Sequence, residues 1–146
     1  MKKIIINILI LFMNFCIYSL PLGLDNNPME QLISYLGNPV PEGFILSTPT
    51  TYSYWEPNVD GVSFSKEAGV SNNIVTRIQY IWSSTLYEDI EHIRENTINL
   101  FSQYNFDENI QEGIGFEFWF YNDFTFRITD IVQEGRRYYF SIMLSN

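Results

Sequence analysis

The chain of 146 residues is long enough for one domain with its own core, and 17% of its residues are aromatic. Its formal net charge is −9. Without Lys2 and Lys3, which precede an apolar run, six basic residues oppose 17 acidic ones, for a net charge of −11. A surface of this sign repels nucleic-acid phosphates and anionic membranes, and it favours basic partners. Because Cys16 is the only cysteine, residues 20–146 contain neither a disulfide nor a thiol nucleophile.

Residues 1–19 are typical of an export signal. Lys2 and Lys3 precede an apolar run over 4–17, which is shorter than the roughly 20 apolar residues that a membrane-spanning helix requires. Ser19 is small, as the residue before a signal-cleavage site usually is. We therefore predict a cleaved signal peptide and a protein that is periplasmic or extracellular.

Two alternatives to cleavage stay open for this segment. It could be retained as a membrane anchor, or Cys16 could carry a lipid, although the bulky Phe15 stands where lipoprotein processing favours a small residue. The protein is expected to associate with a membrane only in these two cases. A single domain is predicted over 20–146, with two similar halves at 28–82 and 85–146.

The first half is predicted to begin with a short helix. Asn27 can cap that helix, Pro28 suits its first turn, and Glu30 stands where a capping box places an acid. Gly37 ends the apolar helical repeat. Strands are predicted at 44–47, 50–55, 62–65 and 74–82, and the polar stretch 66–73 is predicted to be a loop.

The second half is predicted to begin with the longest helix, over 86–104. Thr85 and Glu88 have the spacing of a second capping box. One side of this helix carries apolar residues at helical spacing, which predicts that it covers a core. The core-facing residues are Leu86, Ile90, Ile93, Thr97, Leu100 and Tyr104.

Residues 114–144 are predicted to form a three-stranded antiparallel meander, because aromatic and β-branched residues alternate along them. The first turn has two solutions. A two-residue turn at 122–123 would mix polar and apolar residues on both faces of the sheet. A three-residue loop over 121–123 instead pairs Phe118 with Phe126 and gathers the phenylalanines on one face. A change of register by one residue exchanges the faces, so the three-residue loop is favoured.

A second three-residue loop is predicted at 133–135, with Gly135 in its left-handed position. Phe126 is then expected opposite Ile142. The predicted core face of the meander consists of Phe116, Phe118, Phe120, Phe124, Phe126, Ile128, Phe140 and Ile142.

The opposite face of the meander is predicted to carry amphipathic rings beside arginines, a composition common at recognition surfaces. We predict an interaction surface formed by Trp119, Tyr121, Arg127 and Tyr139. The alternative is that the loop over 40–49, or the segment before the first helix, covers this face within the chain. The expected partner is an unidentified protein or ligand, and the net charge argues against nucleic acid.

Only the acidic start of the second helix suggests a metal or catalytic site. Glu88, Glu91, His92 and Glu95 share one side of the helix, and carboxylates with an imidazole at this spacing can bind a divalent metal. That side lies opposite the apolar one and is expected to face water, so no metal, other cofactor or catalytic residue is predicted. A small secreted hydrolase with an unidentified carboxylate pair is the alternative function, since 17 acidic residues allow many pairs.

A helix that ends in a Leu-Gly-x-Pro motif precedes strands with a Tyr-Trp pair and a short alternating strand. These residues are Leu36-Gly37-Asn38-Pro39, Tyr54-Trp55 and Val62-Ser63-Phe64. This order, within residues 29–82, resembles small envelope proteins of the BamE (SmpA) type. The doubled helix-plus-strands plan is similar to the secreted β-lactamase inhibitor protein. The chain departs from the first pattern at Asn27-Pro28, where that family usually has Gly-x-Thr or Gly-x-Ser.

The predicted fold is α+β. Two units, each a helix followed by antiparallel strands, are expected to form a mainly antiparallel sheet with the helices packed on one face. The resemblance implies a non-catalytic binding or scaffolding module of the bacterial envelope, and it transfers no functional residue to this chain.

Overall fold

Antiparallel strands make up most of the described chain. The computed structural model describes residues 20–146, except for the side chains of 108–113, so the predicted signal peptide lies outside the described residues. The elements are α1 Pro28–Ile33, β1 Ile45–Thr48, β2 Thr51–Trp55, β3 Ser63–Ser71, β4 Ile74–Ser84, α2 Tyr87–Phe101, β5 Asp107–Gly113, β6 Phe116–Tyr121, β7 Phe124–Thr129, β8 Val132–Glu134 and β9 Arg137–Ser145.

All nine strands belong to one sheet, with β4 and β9 in the middle. The order is β1-β2-β3-β4-β9-β7-β6-β5, and β8 pairs with β9. The central pair runs in register from Arg77 opposite Ser145 to Ser84 opposite Tyr138. Each pair of neighbouring strands is antiparallel. The predicted α+β class with an antiparallel sheet is therefore confirmed.

Both helices bury their apolar side chains in the same core as one face of the sheet. Alternate residues of β4 and β9 supply the centre of that core, and α2 contacts both strands. Burying such a side chain contributes about 1.5–3 kcal/mol. The fully or almost fully buried side chains include Met29, Leu32, Ile78, Tyr80, Trp82, Ile90, Phe101, Phe126, Ile128, Phe140, Ile142 and Leu144.

The segment before α1 is part of the core. The Nε1 of Trp82 donates a hydrogen bond to the carbonyl oxygen of Leu22 at 2.7 Å, and Leu24 is buried. Gly23 has a φ of +83°, and a Cβ there would lie 2.2 Å from the Phe64 ring. The close approach and the left-handed backbone both require glycine.

The two helices are shorter than predicted, and neither has the predicted capping box. Asn27 makes no side-chain cap to α1. At α2 the Ser84 hydroxyl accepts from the backbone N–H of Leu86 at 3.1 Å and donates to Asp89 at 2.6 Å. The predicted core residues Ile90, Ile93 and Thr97 are buried, whereas Leu86 is 57% exposed and Phe101, which was not predicted, is fully buried.

The polar stretch predicted as a loop is a strand. β3 extends to Ser71, and Asn72 and Asn73 form the turn to β4 with φ values of 52° and 63°. Positive φ at both central residues is what a type I′ hairpin turn requires, and asparagine tolerates it. Composition predicted a loop over the whole of 66–73 because this stretch is polar. In the structure only Asn72 and Asn73, at its end, form a turn.

The predicted register of the β6–β7 hairpin is wrong by one residue. The structure has a two-residue turn at 122–123, with Asn122 at a φ of 52°, so Trp119 lies opposite Phe126 and Phe118 lies opposite Arg127. A one-residue change exchanges the two faces of β6. Of the predicted core face, Phe126, Ile128, Phe140 and Ile142 are buried, whereas Phe116, Phe118 and Phe120 lie on the other side of the sheet.

The second predicted loop is also one residue too long. Glu134 lies opposite Arg137, which leaves a two-residue turn with Gly135 at a φ of 60°. β7 pairs with β9 in a separate register, in which Phe126 lies opposite Leu144 instead of the predicted Ile142. A displacement by two residues keeps each side chain on its predicted face, because the side-chain period of a strand is two.

Tyr104 connects the two helical segments. Its hydroxyl donates to Glu30 at 2.7 Å and accepts from the backbone N–H of Met29 at 3.4 Å. Burial, followed by the hydrogen bond to the Glu30 carboxylate, raises the pKa of Tyr104 from 10.0 to about 12. The folded state therefore holds this proton more tightly than the unfolded state. The resulting stability is fully present below pH 10.0 and is lost as the pH rises through about 12.

This linkage predicts a difference between wild type and Tyr104→Phe. Between pH 10.0 and about 12 the melting temperature of the wild type should fall more steeply, because only the wild type has this titrating hydroxyl. Thermal melts across that range measure the slope. Glu30→Gln, which removes the neighbouring negative charge, should give an intermediate slope. Equal slopes for wild type and Tyr104→Phe would contradict the linkage.

Candidate interaction surface

Two of the four predicted surface residues face the helices. Trp119 lies opposite Phe126, and its ring centroid is 4.8 Å from that of Phe106. Tyr121 packs edge-on against Tyr104 at 5.7 Å. Both side chains are half-buried and extend the core beyond the central strands.

The other two predicted residues lie on the opposite side of the sheet. Arg127 is opposite Phe118 and Met143, and Tyr139 is opposite Ser83. The structure therefore does not bring the four predicted residues together, because the register of β6 exchanges its faces. Contact of any of them with a partner stays a prediction.

We call the side of the sheet that faces away from the helices the open face. The helix contacts and the core cluster both lie on the other side, so in residues 20–146 no helix covers it. Side chains of cross-strand partners lie on the same face of a sheet, so the strand pairings identify the residues of the open face. From β2 to β6 they include Trp55, Ser65, Glu67, Arg77, Gln79, Ile81, Ser83, Arg137, Tyr139, Ser141, Met143, Thr125, Arg127, Thr129, Phe116, Phe118 and Phe120.

The segments that were expected as alternative covers lie on the helix side. Phe44, from the loop over 40–49, stacks on Tyr54 at 5.6 Å and contacts Tyr35 at 6.2 Å. Leu22, from the segment before α1, binds the core residue Trp82 through its carbonyl oxygen. The hypothesis that these segments cover the open face is therefore wrong.

The open face has a polar centre between two apolar ends. In the centre Gln79 donates to the Ser141 hydroxyl at 3.1 Å, and a depression of about 510 Å³ is lined by residues that include Ile81 and Tyr139. Trp55 lies at one end and is 60% exposed. At the other end β6 presents three phenylalanines in alternation, which are Phe116, Phe118 and Phe120.

Three arginines lie on or at the end of the open face, and their surroundings differ. Arg137 is fixed by hydrogen bonds of 2.9–3.3 Å to the hydroxyls of Ser63 and Ser83. The Cζ of Arg127 lies 4.7 Å from the centroid of the Phe116 ring. The Nε of Arg77 is buried and has no hydrogen-bond acceptor in the described part of the chain.

Sequence reasoning could have located part of this surface. Ile78, Tyr80 and Trp82 alternate along a predicted strand and so share one side of it, which assigns Arg77, Gln79 and Ile81 to the other. The phenylalanines of β6 gave no such signal, because both faces of that strand are aromatic.

The acidic side of α2 faces solvent as predicted. Glu88, Glu91, His92 and Glu95 are exposed, and the Nε2 of His92 lies 3.1 Å from the side-chain nitrogen of Asn96. In residues 20–146 with described side chains, no group of three or more His, Cys, Asp or Glu is arranged to hold a metal ion.

Comparisons with protein-family models, with curated proteins and with solved structures gave no match to this chain. The similarity to the BamE type and to the β-lactamase inhibitor protein therefore stays a prediction. Neither helix within residues 20–146 is long and apolar enough to cross a membrane.

The observed register predicts unequal roles for two neighbouring aromatic residues. Trp119→Ala should lower the free energy of unfolding by at least about 2 kcal/mol, because the indole packs between core rings. Phe118→Ala should cost about 1 kcal/mol or less, because that ring lies on the open face. Urea unfolding of both variants measures the difference. The three-residue loop predicts the reverse order, so a larger loss for Phe118→Ala would contradict the observed register.

Proposed function

We propose that the protein is an exported, non-catalytic binding or scaffolding module that contacts a partner protein through the open face. The observation that carries this proposal is the asymmetry of the sheet. One face is filled by two helices, the segment before α1 and an aromatic core, whereas the other has no second layer within the described residues. An uncovered sheet face with large aromatic side chains is a typical interaction surface.

The composition of the open face suits recognition of a protein. Tyrosine, phenylalanine, methionine and arginine are enriched in protein interfaces. On this face Arg127 and Tyr139 line the same depression, and Met143 lies directly opposite Arg127. The polar centre supplies hydroxyl and amide groups that can hydrogen-bond a partner. The apolar ends supply surface whose burial stabilises a complex.

The order of elements supports the two-unit plan as part of this proposal. α1 precedes β1 to β4, α2 precedes β5 to β9, and the last strands of the two runs, β4 and β9, are neighbours. Two such units joined through their last strands give a sheet wider than either could form alone. Seven strands, from β1 to β6 in sheet order, span about 29 Å at a spacing of about 4.8 Å.

The packing of the residues that follow Ser19 supports export with cleavage there. Pro21 is buried and the Leu22 carbonyl accepts a hydrogen bond from Trp82, so the residues directly after the proposed cleavage site are part of the packed structure. A cleaved signal would leave almost no unstructured residues before the fold.

Amino-terminal sequencing of the native protein tests this part of the proposal. We expect the sequence to begin at Leu20 in material isolated from the envelope or the medium. Met1 retained in cytosolic material would contradict export. A lipid on Cys16 would replace cleavage after Ser19 with the lipoprotein alternative.

Position-specific crosslinking tests the open face. A photoreactive residue at Tyr139 or Met143 should give a discrete adduct with one partner in the native compartment. The same residue at Glu95 or Asn99, on the solvent-facing side of α2, should give none. Tyr139→Ala should weaken the complex by more than about 1 kcal/mol and leave the unfolding midpoint almost unchanged.

Two results would contradict the proposal. One is the absence of an adduct at both open-face positions. The other is an equal yield at the α2 control positions, because the contact would then not depend on the open face.

A further inference from the structure

The open face is richer in basic residues than the chain as a whole. Residues 20–146 contain six basic and 17 acidic residues, and strand pairing assigns to this face three arginines and three acids with described side chains. These residues are Arg77, Arg127, Arg137, Glu67, Asp107 and Glu134.

Arg127 is oriented by an aromatic ring, and its charge is not paired with an acid among the described residues. The guanidinium stacks against Phe116, which orients the side chain on the open face. Among the residues with described side chains, none forms an ion pair with Arg127 or accepts a hydrogen bond from it. The ion pairs in this part of the chain are Lys66 with Glu56 and Arg94 with Asp130.

Arg77 also forms no ion pair within the described residues. Its side chain lies over Gly69, where a Cβ would come within 2.9 Å of the Nε. The glycine therefore gives the guanidinium close access to the sheet, and the Nε is buried without an acceptor in the described residues. Glu67 lies on the same face, two residues before Gly69, but forms no ion pair with Arg77 in this structure.

The two arginines have a fixed separation along the sheet. β9 lies between their strands, and Met143, the partner of Arg127, lies two residues from Ser145, the partner of Arg77. Two strand spacings and a two-residue step place their Cα atoms about 12 Å apart. The guanidinium groups lie over Phe116 on β6 and over Gly69 on β3, so they are farther apart than the Cα atoms. Guanidinium groups bind carboxylates through paired hydrogen bonds, and an extended segment with several carboxylates can reach both.

We propose that the open face binds an acidic segment of a partner protein, with Arg77 and Arg127 as its two anchors. This inference rests on the proposed function of the open face. It reverses the expectation from net charge, which favours basic partners, because both anchors are arginines that form no ion pair within the described residues. Nucleic acids and anionic membranes present extended negative surfaces that the remaining acidic residues repel, whereas a short acidic segment meets only the open face.

The test uses the full-length chain and three immobilised peptides that alternate leucine with glutamate, glutamine or lysine. The glutamate peptide should bind best, and its binding should weaken as the ionic strength rises from about 0.05 M to about 0.3 M, because the screening length shortens. Arg127→Glu, and Arg77→Gln or Arg77→Glu, should each weaken binding about tenfold or more.

Arg136→Glu is the matched control, because it makes the same change of charge in the β8–β9 turn, away from the two anchors. It should leave binding within about twofold of wild type, and the unfolding midpoints of all variants identify any loss that is due to misfolding. An equal loss with Arg136→Glu, or tighter binding of the lysine peptide, would overturn the acidic partner.

Failure of this inference can be distinguished from failure of the proposed function. If open-face crosslinking persists while Arg127→Glu and Arg77→Gln leave both crosslinking and peptide binding unchanged, the open face binds a partner of another chemistry. If the crosslinks are absent as well, both proposals are wrong.

Discussion

The pairing of β4 with β9 is the constraint on which the rest of the structure depends. Trp82 and Phe140 lie directly opposite each other in this pair, and their rings stack at 5.5 Å with an angle of 17°. Trp82 also fixes the segment before α1 through its hydrogen bond to Leu22. Because α2 packs across the same two strands, one face of the sheet is committed to the core and the other is left as surface.

The sequence predicted the parts of the fold where polar and apolar residues alternate clearly. Along β4 the buried residues Ile78, Tyr80 and Trp82 alternate with less apolar ones, so the strand and its inner face were both predictable. Along β6 both faces carry aromatic residues, and the alternation assigned the phenylalanines to the core, which was wrong. The turn determines which face of β6 is buried, because Asn122 accepts a positive φ and allows a two-residue connection to β7. Arg127 and Tyr139 were therefore assigned to the correct face, and Trp119 and Tyr121 were not.

Polar composition predicted a loop at β3 because the chemistry that stabilises Lys66 depends on distant residues. Its ammonium lies 5.2–5.9 Å from the ring centroids of four aromatic residues and 3.9 Å from Glu56. Such contacts compensate for the burial of a charge on the helix side of a strand. All of these partners except Phe64 lie well away from Lys66 in the chain, so no local pattern reveals the contacts. The rings belong to Tyr35, Tyr54, Phe64 and Tyr80.

A single irregularity of the backbone connects the core to the charged surface. Between Gly69 and Val70 the register of β3 with β4 changes, and Thr76 is the extra residue on β4. Val75 consequently takes the buried position that regular alternation would give to Ile74. The same irregularity lies next to the pair formed by Gly69 and Arg77. Because Gly69 has no Cβ, the Arg77 guanidinium can pack against its backbone. A bulge of this kind redirects side chains locally, so the packing of the first half and the position of one arginine on the open face have the same structural origin.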